Sequence, residues 1–235
     1  GKRKSSLTLE EEAQRAREEG LQTLSGKSVK NHMMRLSALW NQLLQRELAT
    51  RNPWTGWSFE SGQKTVRRSW ATKELALLAS TSWHSTSVPE QTFRLVTLIA
   101  AYSGMRLGEI CPLRKEDLQS VDGIPCFLIR PHTETGWAPK TEAGTRIVPV
   151  HSKLIEAGVL VLKETTEGPY LIPGLETSKQ GVRGAALGRA FSLLKTRIGL
   201  PAEITFHSFR HTESPQLMNA DVNIRQVWIG RLLGH

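Results

Sequence analysis

The segment from Gln91 to Ser103 constrains the fold most, because it is strongly apolar and Gly104 follows it directly. An apolar run of this length predicts a buried helix, and a glycine behind it is typical of a left-handed helix cap. Upstream, Thr72 can cap another helix. Further helices are predicted downstream, at 152–162, at 184–198 and from His207 onward, where Pro215 disturbs the pattern.

Two shorter stretches, 124–130 and 145–150, are predicted to be β-strands. The connection between them, 131–144, is rich in turn-forming residues and contains Lys140. Two strands joined in this way predict a hairpin or a short sheet. Together with the helices, they predict the fold class α+β, mostly helical, with a small antiparallel sheet.

Residues 1–62 are predicted to form a separate small helical domain. A Thr-Leu-Glu-Glu capping box starts at Thr8, and Ser28 can cap a second helix. Apolar residues recur along that second helix at steps of three and four, which gives it one apolar face: Val29, Met33, Leu36, Trp40, Leu43 and Leu44. Residues 51–68, which contain a proline and two glycines, are predicted to be a linker to a larger domain over residues 69–235.

The composition favours a polyanionic partner, because the chain has a formal net charge of +9 and a pI near 9.9. Charge alone also fits a basic soluble protein without such a partner. No apolar run reaches the roughly 18 residues that a membrane span needs, and the basic, polar start predicts no secretory signal. The two cysteines, Cys111 and Cys126, show no pairing pattern, which predicts a cytoplasmic protein.

Five basic side chains of the larger domain have the chemistry to hold and protonate one phosphodiester. Breaking that bond places negative charge on the phosphate oxygens and on the leaving oxygen. An arginine fork can grip two phosphate oxygens, whereas a lysine or a histidine can donate a proton to the leaving hydroxyl. Glu109 lies three positions after the first arginine and can pair with it. The candidate catalytic residues are Arg106, Lys140, His207, Arg210 and His235.

Each of these residues also has an ordinary structural explanation. Arg106 can be a surface arginine at a helix end, and Lys140 a solvated hairpin lysine. His207 and Arg210 can be a helix cap and a surface charge. His207 and His211 also have a spacing that can bind zinc on a helix. The Ser-Phe-Arg between them contains no glutamate and places a positive charge beside the pair, so no metal is expected.

In their joint order, four segments resemble the motifs of the tyrosine recombinases, the phage integrase family. They are Ser103–Glu109 (Ser-Gly-Met-Arg-Leu-Gly-Glu), Pro139–Pro149 (Pro-Lys-Thr-Glu-Ala-Gly-Thr-Arg-Ile-Val-Pro), His207–Thr212 (His-Ser-Phe-Arg-His-Thr) and Leu232–His235 (Leu-Leu-Gly-His). The resemblance covers residues 70–235. Residues 1–62 resemble that family's core-binding domain in size and helicity.

The resemblance implies a site-specific DNA recombinase or integrase of a phage or mobile element, which cuts and rejoins DNA through a 3′-phosphotyrosyl intermediate. In that mechanism Arg106 and Arg210 hold the scissile phosphate. The histidines His207 and His235 help to hold it. Lys140 protonates the leaving 5′ hydroxyl, and Glu109 supports the first arginine. Because the covalent link conserves the bond energy, no cofactor or metal is needed.

The nucleophile is a departure from the family pattern, because the family's tyrosine lies a short way beyond the position that matches His235. The two tyrosines of the sequence, Tyr102 and Tyr170, do not match it. The printed sequence is therefore expected not to cleave DNA on its own. Two alternatives stay open: a DNA-binding regulator that uses the fold without catalysis, and a type IB topoisomerase-like enzyme.

Double-stranded DNA is the expected partner, with a homotetramer assembled on it and accessory DNA-bending proteins beside it. No membrane partner is expected. The expected place of action is the cytoplasm, at the bacterial or phage-host nucleoid. Positive charges of the N-terminal helices and the linker give the candidate DNA-binding residues Lys27, Lys30, Arg35, Lys64 and Arg67.

Overall fold

The computed structural model describes residues 7–21, 24–59, 66–219 and 224–234. The chain divides into two compact units, Gly1–Lys64 and Thr65–His235. Two of the candidate site residues, Lys64 and His235, lie outside the described residues. Within the described part, no helix is long and apolar enough to cross a membrane.

The first unit contains the helices α1 (Leu9–Glu18) and α2 (Gly26–Gln45). The predicted capping box begins α1, because Thr8 N–H donates to the Glu11 carboxylate at 2.7 Å and Glu11 N–H donates to the Thr8 hydroxyl at 3.3 Å. Helix α2 begins earlier than predicted. Its cap is Ser25, whose hydroxyl accepts from the N–H of Ser28, so the predicted cap lies inside the first turn.

After α2 the chain folds back onto the same helix. The Asn52 side-chain amide donates to the Asn41 side chain at 2.7 Å and to the Ser37 hydroxyl at 3.0 Å. Trp54 packs edge-on against Trp40, with ring centroids 5.8 Å apart. The partly buried side of α2 is thereby covered by its own following segment.

The second unit is built around α4, which is the apolar segment predicted to be a buried helix. Phe93, Val96 and Ile99 of this helix are fully buried. Gly104 ends it at φ +60°, as predicted for a left-handed cap. The helices described in this unit are α3 (Thr72–Ser80), α4 (Glu90–Ser103), α5 (Leu107–Ile110), α6 (Ser152–Glu156), α7 (Leu162–Thr165), α8 (Ala185–Arg197), α9 (Ser208–Met218) and α10 (Gln226–Leu233).

Two helix predictions for this second unit were wrong in detail. The helix expected over 152–162 is interrupted, because Gly158 takes φ +80° and separates α6 from the next helical turn. Thr72 is the first residue of α3 and not its cap. Ala71 precedes it, and the carboxylate of Glu74 accepts from the Ala71 N–H at 2.9 Å.

The predicted sheet is present, with three antiparallel strands in the order β1 (Leu118–Val121), β2 (Ile124–Ile129) and β3 (Arg146–Pro149). Phe127 pairs with Leu118 on one side and Val148 on the other, and all three side chains are buried. The predicted strands correspond to β2 and β3, whereas the four-residue β1 was missed. A tight turn at Asp122 and Gly123, both with positive φ, joins β1 to β2.

Helix α9 continues through Pro215, which leaves one backbone carbonyl of the helix without its usual partner. The segment before α3 supplies a hydrogen bond to that carbonyl. Pro215 has no N–H for the His211 carbonyl one turn earlier. That carbonyl instead accepts from the Ser69 hydroxyl at 2.6 Å, and Trp70 N–H donates to the Thr212 hydroxyl at 2.8 Å. The segment that leads into α3 is therefore held along α9.

Candidate active site

Arg106, directly before the short helix α5, is oriented by one carboxylate, that of Glu109. Arg106 N–H donates to Glu109 Oε2 at 2.9 Å, and Arg106 Nη1 donates to Oε1 at 2.6 Å. The Arg106 side chain is 35% exposed, whereas that of Glu109 is 6% exposed. The Arg106 side chain is therefore partly exposed, and the Glu109 carboxylate fixes the orientation of its guanidinium.

Arg146 on β3 shares the same carboxylate and was not predicted as a site residue. Its Nη2 and Nη1 donate to Glu109 Oε2 and Oε1 at 2.8 and 3.2 Å. Burial alone would raise the pKa of Glu109, but the hydrogen bonds and charge of Arg146, with hydrogen bonds from Arg106, hold that pKa below its usual value. Glu109 is thus an ion between two guanidinium groups. One signal in the sequence could have identified Arg146, namely its position in a predicted strand. An arginine that such a strand buries needs a charged partner.

Arg210, in the first turn of α9, is 3% exposed and carries unpaired donors. Its Nη1 donates to the Gly104 carbonyl at 3.1 Å, whereas its Nε and Nη2 have no hydrogen-bond partner among the described residues. Burial and the charges of Arg106 and Arg146 lower its pKa to about 10, so it stays protonated at neutral pH. Buried donors on a cation are costly unless a ligand accepts from them.

His207 directly precedes α9 and is partly buried beside these cations. Burial, the neighbouring His211 and the charges of Arg210, Arg106 and Arg67 lower its pKa to about 4. The imidazole is therefore neutral near pH 7 and can donate one hydrogen bond while it accepts another. The rings of His207 and His211 lie edge to face, with centroids 5.0 Å apart. The described residues contain no group of three His, Cys, Asp or Glu that could hold a metal ion.

The lowered pKa of His207 makes a pH-dependent contribution to stability. The unfolded chain binds this proton near pH 6.5 and the folded chain near pH 4, so stability falls as the pH falls through that window. We expect the unfolding free energy of His207→Gln to decrease less than that of the wild type between about pH 7 and about pH 4.5. Urea unfolding at the two pH values measures the difference, with the exposed His84→Gln as control. Equal pH dependence in His207→Gln and wild type would contradict the assignment.

The structure therefore brings together what we call the arginine cluster, which consists of Arg106, Glu109, Arg146, His207 and Arg210. Lys140 is exposed on the connection between β2 and β3 and forms no hydrogen bond or ion pair with the described members of the cluster. Arg67 is exposed and close enough to His207 to contribute to its lowered pKa. In the first unit, Lys27, Lys30 and Arg35 are exposed on α2.

Residues 71–235 match the sequence family described as the phage integrase family. This range includes the whole arginine cluster and Lys140. No curated protein shows significant sequence similarity to the chain.

Solved structures with a similar fold include integrases bound to DNA. The Tn1549 transposon integrase in complex with a circular intermediate DNA superposes with a TM-score of 0.62 at 22% identity, over 96% of this chain and 75% of that one. A lambda integrase fragment bound to DNA gives a TM-score of 0.55 at 20% identity, over 89% and 70% of the two chains. A lambda integrase tetramer bound to a Holliday junction gives 0.58 at 21% identity, over 98% and 64%.

Proposed function

The chain belongs to the phage integrase family, and we propose that it acts as a site-specific recombinase that cuts and rejoins DNA through a 3′-phosphotyrosyl intermediate. The observation that carries this proposal is the buried Arg210, whose Nε and Nη2 lack partners among the described residues, beside the partly exposed Arg106. The arginine cluster holds three guanidinium groups and one carboxylate, that of Glu109, which pairs with Arg106 and Arg146 and is close enough to Arg210 to act on its pKa. Such a site favours an anionic phosphate group as its ligand.

The two arginines hold the scissile phosphate in this mechanism. Arg106 offers its partly exposed side chain, and Arg210 offers the two donors that have no partner among the described residues. As the attacking oxygen bonds to phosphorus, charge grows on the nonbridging oxygens, and donors already in place stabilise it without reorganisation. The protein-bound phosphate ester conserves the energy of the broken bond, so a second DNA end can reverse the step.

The remaining basic residues serve the leaving oxygen and the phosphate. His207 is neutral before DNA binds and donates a single hydrogen bond to a phosphate oxygen. Lys140, exposed and unpaired in the described part, donates its proton to the departing 5′ oxygen. His235, outside the described residues, is proposed as the second histidine that holds the phosphate.

Neither tyrosine of the sequence is assigned as the nucleophile of this proposal. Tyr102 packs against the core and the His151 ring, with centroids 4.9 Å apart. The ring of Tyr170 lies 3.7 Å from the guanidinium carbon of Arg183, and its backbone pairs with Arg114. Both tyrosines therefore have structural roles, and their contacts named here are with residues that do not belong to the arginine cluster.

Double-stranded DNA is the proposed substrate, and the integrases of similar fold were solved on DNA, one of them as a tetramer on a Holliday junction. By analogy we propose a tetramer on DNA, assisted by accessory DNA-bending proteins and acting at the bacterial or phage-host nucleoid. The first unit would grip the duplex through α2, which contains no acidic residue from Gly26 to Gln45. Arg67, beside His207, and Lys64 would extend this contact.

Exposed lysines on α2 are expected to contribute salt-dependent affinity. The double variant Lys27→Ala/Lys30→Ala should weaken binding to all duplex sequences and reduce the slope of log affinity against log salt by about two, since each lost phosphate contact removes about 0.9. Adding Arg35→Ala should lower the slope further. Fluorescence anisotropy over a salt series measures it, with exposed Lys153→Ala on α6 as control. An unchanged slope in the double variant would remove these lysines from the DNA contacts.

The proposed chemistry is tested in the native-length protein, with nicked duplexes from candidate attachment DNA. The nick lets the short cleaved strand leave, so the covalent product accumulates. We expect a protein–DNA adduct that survives denaturation, maps to a tyrosine and disappears in Arg106→Ala while DNA binding persists. Tight binding without an adduct would favour the non-catalytic regulator. Relaxation of supercoiled DNA without site preference would favour the topoisomerase-like enzyme.

A further inference from the structure

We infer that Arg146 is a positioning residue, which fixes the catalytic Arg106, the turn after Lys140 and the end of α10 relative to one another. The inference rests on the proposed function, because it assigns a role in the same phosphodiester chemistry. Its starting observation is that one side chain, only 5% exposed, bonds to three separate parts of the second unit.

The guanidinium of Arg146 uses both of its edges. Nη1 and Nη2 grip the Glu109 carboxylate at 3.2 and 2.8 Å, and that carboxylate in turn holds Arg106. Nε donates to the Leu232 carbonyl of α10 at 2.7 Å, and Nη1 also donates to the Gly144 carbonyl at 3.0 Å. A cation at the carbonyl end of a helix is favourable, because it meets the negative end of the helix dipole.

The backbone at Gly234 is fitted against this guanidinium. Gly234 ends α10 at φ +70°, and a Cβ added there would lie 3.0 Å from Arg146 Nη1 and 3.1 Å from the Ala143 carbonyl. Arg106 Nη2 lies 3.5 Å from the Gly234 carbonyl on the other side. Gly234 therefore lies against both arginines, and Arg146 leaves no room for a side chain at this end of α10.

The same side chain fixes the turn that follows Lys140. Gly144, whose carbonyl bonds to Arg146, is buried and packs so closely on Pro139 that an added Cβ would lie 2.6 Å from the proline Cβ. Pro139 directly precedes Lys140, so the turn is closed at its base beneath the exposed lysine. Arg146 thus holds Gly144, and Gly144 packs on the residue directly before Lys140, which we propose as the proton donor.

Only an arginine can make this set of bonds. A lysine in its place keeps the charge but has one nitrogen, which cannot grip both carboxylate oxygens and reach two carbonyls in different directions. Arg146→Lys should therefore leave a folded protein with misaligned catalytic groups, and small misplacements of this kind reduce rates by roughly 100-fold. Because Arg146 touches no DNA in this account, affinity for DNA should change much less.

The test uses the native-length protein and nicked attachment DNA under single-turnover conditions. For Arg146→Lys we expect the adduct rate at saturating DNA to fall by roughly 100-fold, while the DNA concentration for half-maximal rate changes by no more than about threefold. Arg94→Lys is the matched control, because Arg94 also joins one carboxylate, that of Glu90, to two carbonyls, those of Leu78 and Thr81. Because Arg94 and Glu90 are far more exposed than Arg146 and Glu109, this variant should lower Tm less than Arg146→Lys and keep the wild-type adduct rate. A wild-type rate in Arg146→Lys, or an equal loss in Arg94→Lys, would overturn the inference.

Hydrogen exchange without DNA separates this inference from the proposed chemistry. The amides at 232–234 should exchange at least about tenfold faster in Arg146→Lys than in the wild type, because the end of α10 loses its anchor. Arg94→Lys should leave them unchanged. If the wild type forms no adduct but this exchange pattern is seen, the recombinase proposal fails and the anchoring role stands. Unchanged exchange in Arg146→Lys would overturn the anchoring role, whatever the adduct assay shows.

Discussion

Arg210→Met is expected to lower the rate of covalent adduct formation by roughly 1,000-fold, because it removes two donors aimed at the charge that develops on the phosphate. The same change is expected to leave the fold intact or to raise the unfolding free energy by about 1 kcal/mol. The buried guanidinium makes only one hydrogen bond in the described part, to the Gly104 carbonyl, and its pKa is lowered to about 10 by burial and by neighbouring arginines. Stability and activity should therefore move in opposite directions.

Arg183→Met is the matched control for this result. Arg183 is also a partly buried arginine, but it donates to the carbonyls of Cys111, Ile172 and Leu175 and its guanidinium stacks on Tyr170. Its loss should destabilise the protein and largely spare the adduct rate at a temperature where the variant is folded. If Arg210→Met destabilised the protein as Arg183→Met does and kept its activity, Arg210 would be a structural residue.

Glu109→Gln is expected to lower the unfolding free energy by about 3 kcal/mol, because it leaves two guanidinium groups without their shared counter-charge. The carboxylate is 6% exposed and accepts from Arg106 and from both terminal nitrogens of Arg146. Urea unfolding near neutral pH measures the change. The exposed pair of Glu90 and Arg94 provides the comparison, since Glu90→Gln should cost less than about 1 kcal/mol.

Glu109 and Arg146 are expected to be energetically coupled, because each is the buried partner of the other. In the double variant Glu109→Gln/Arg146→Met the uncompensated charge is removed, so the total loss should be smaller than the sum of the two single losses. Simple additivity would show that the Glu109–Arg146 contact contributes little. A loss in Glu109→Gln no larger than that in Glu90→Gln would show that the carboxylate is not the counter-ion of the cluster.

Local patterns predicted much of the fold. The apolar run before Gly104 predicted α4 and its left-handed cap, and the turn-rich stretch between two strand patterns predicted the pairing of β2 and β3. The errors came from single residues whose local effect the apolar pattern does not show. Ser25 caps α2 in place of Ser28, and Gly158 interrupts a helix that its apolar pattern would have continued.

The candidate site was only partly predictable, because its electrostatics depend on contacts between distant residues. The pairing of Arg106 with Glu109 followed from their spacing on one helical turn. Arg146 is 37 residues from Glu109 along the chain, and its burial against that carboxylate depends on how β3 packs beside α5. The lowered pKa of His207 arises mainly from burial, which the sequence does not show, and in part from the distant Arg106 and Arg67, besides its neighbours His211 and Arg210 on α9.

The central claim is that Arg210 binds the scissile phosphate through its charge. Single-turnover cleavage of nicked DNA carrying either a normal scissile phosphate or a methylphosphonate tests it most directly, because the methyl group removes the negative charge at that one position. The account predicts that Arg210→Met loses roughly 1,000-fold on the phosphate and far less on the neutral methylphosphonate. An equal loss on both substrates would contradict a charge interaction between Arg210 and the scissile phosphate.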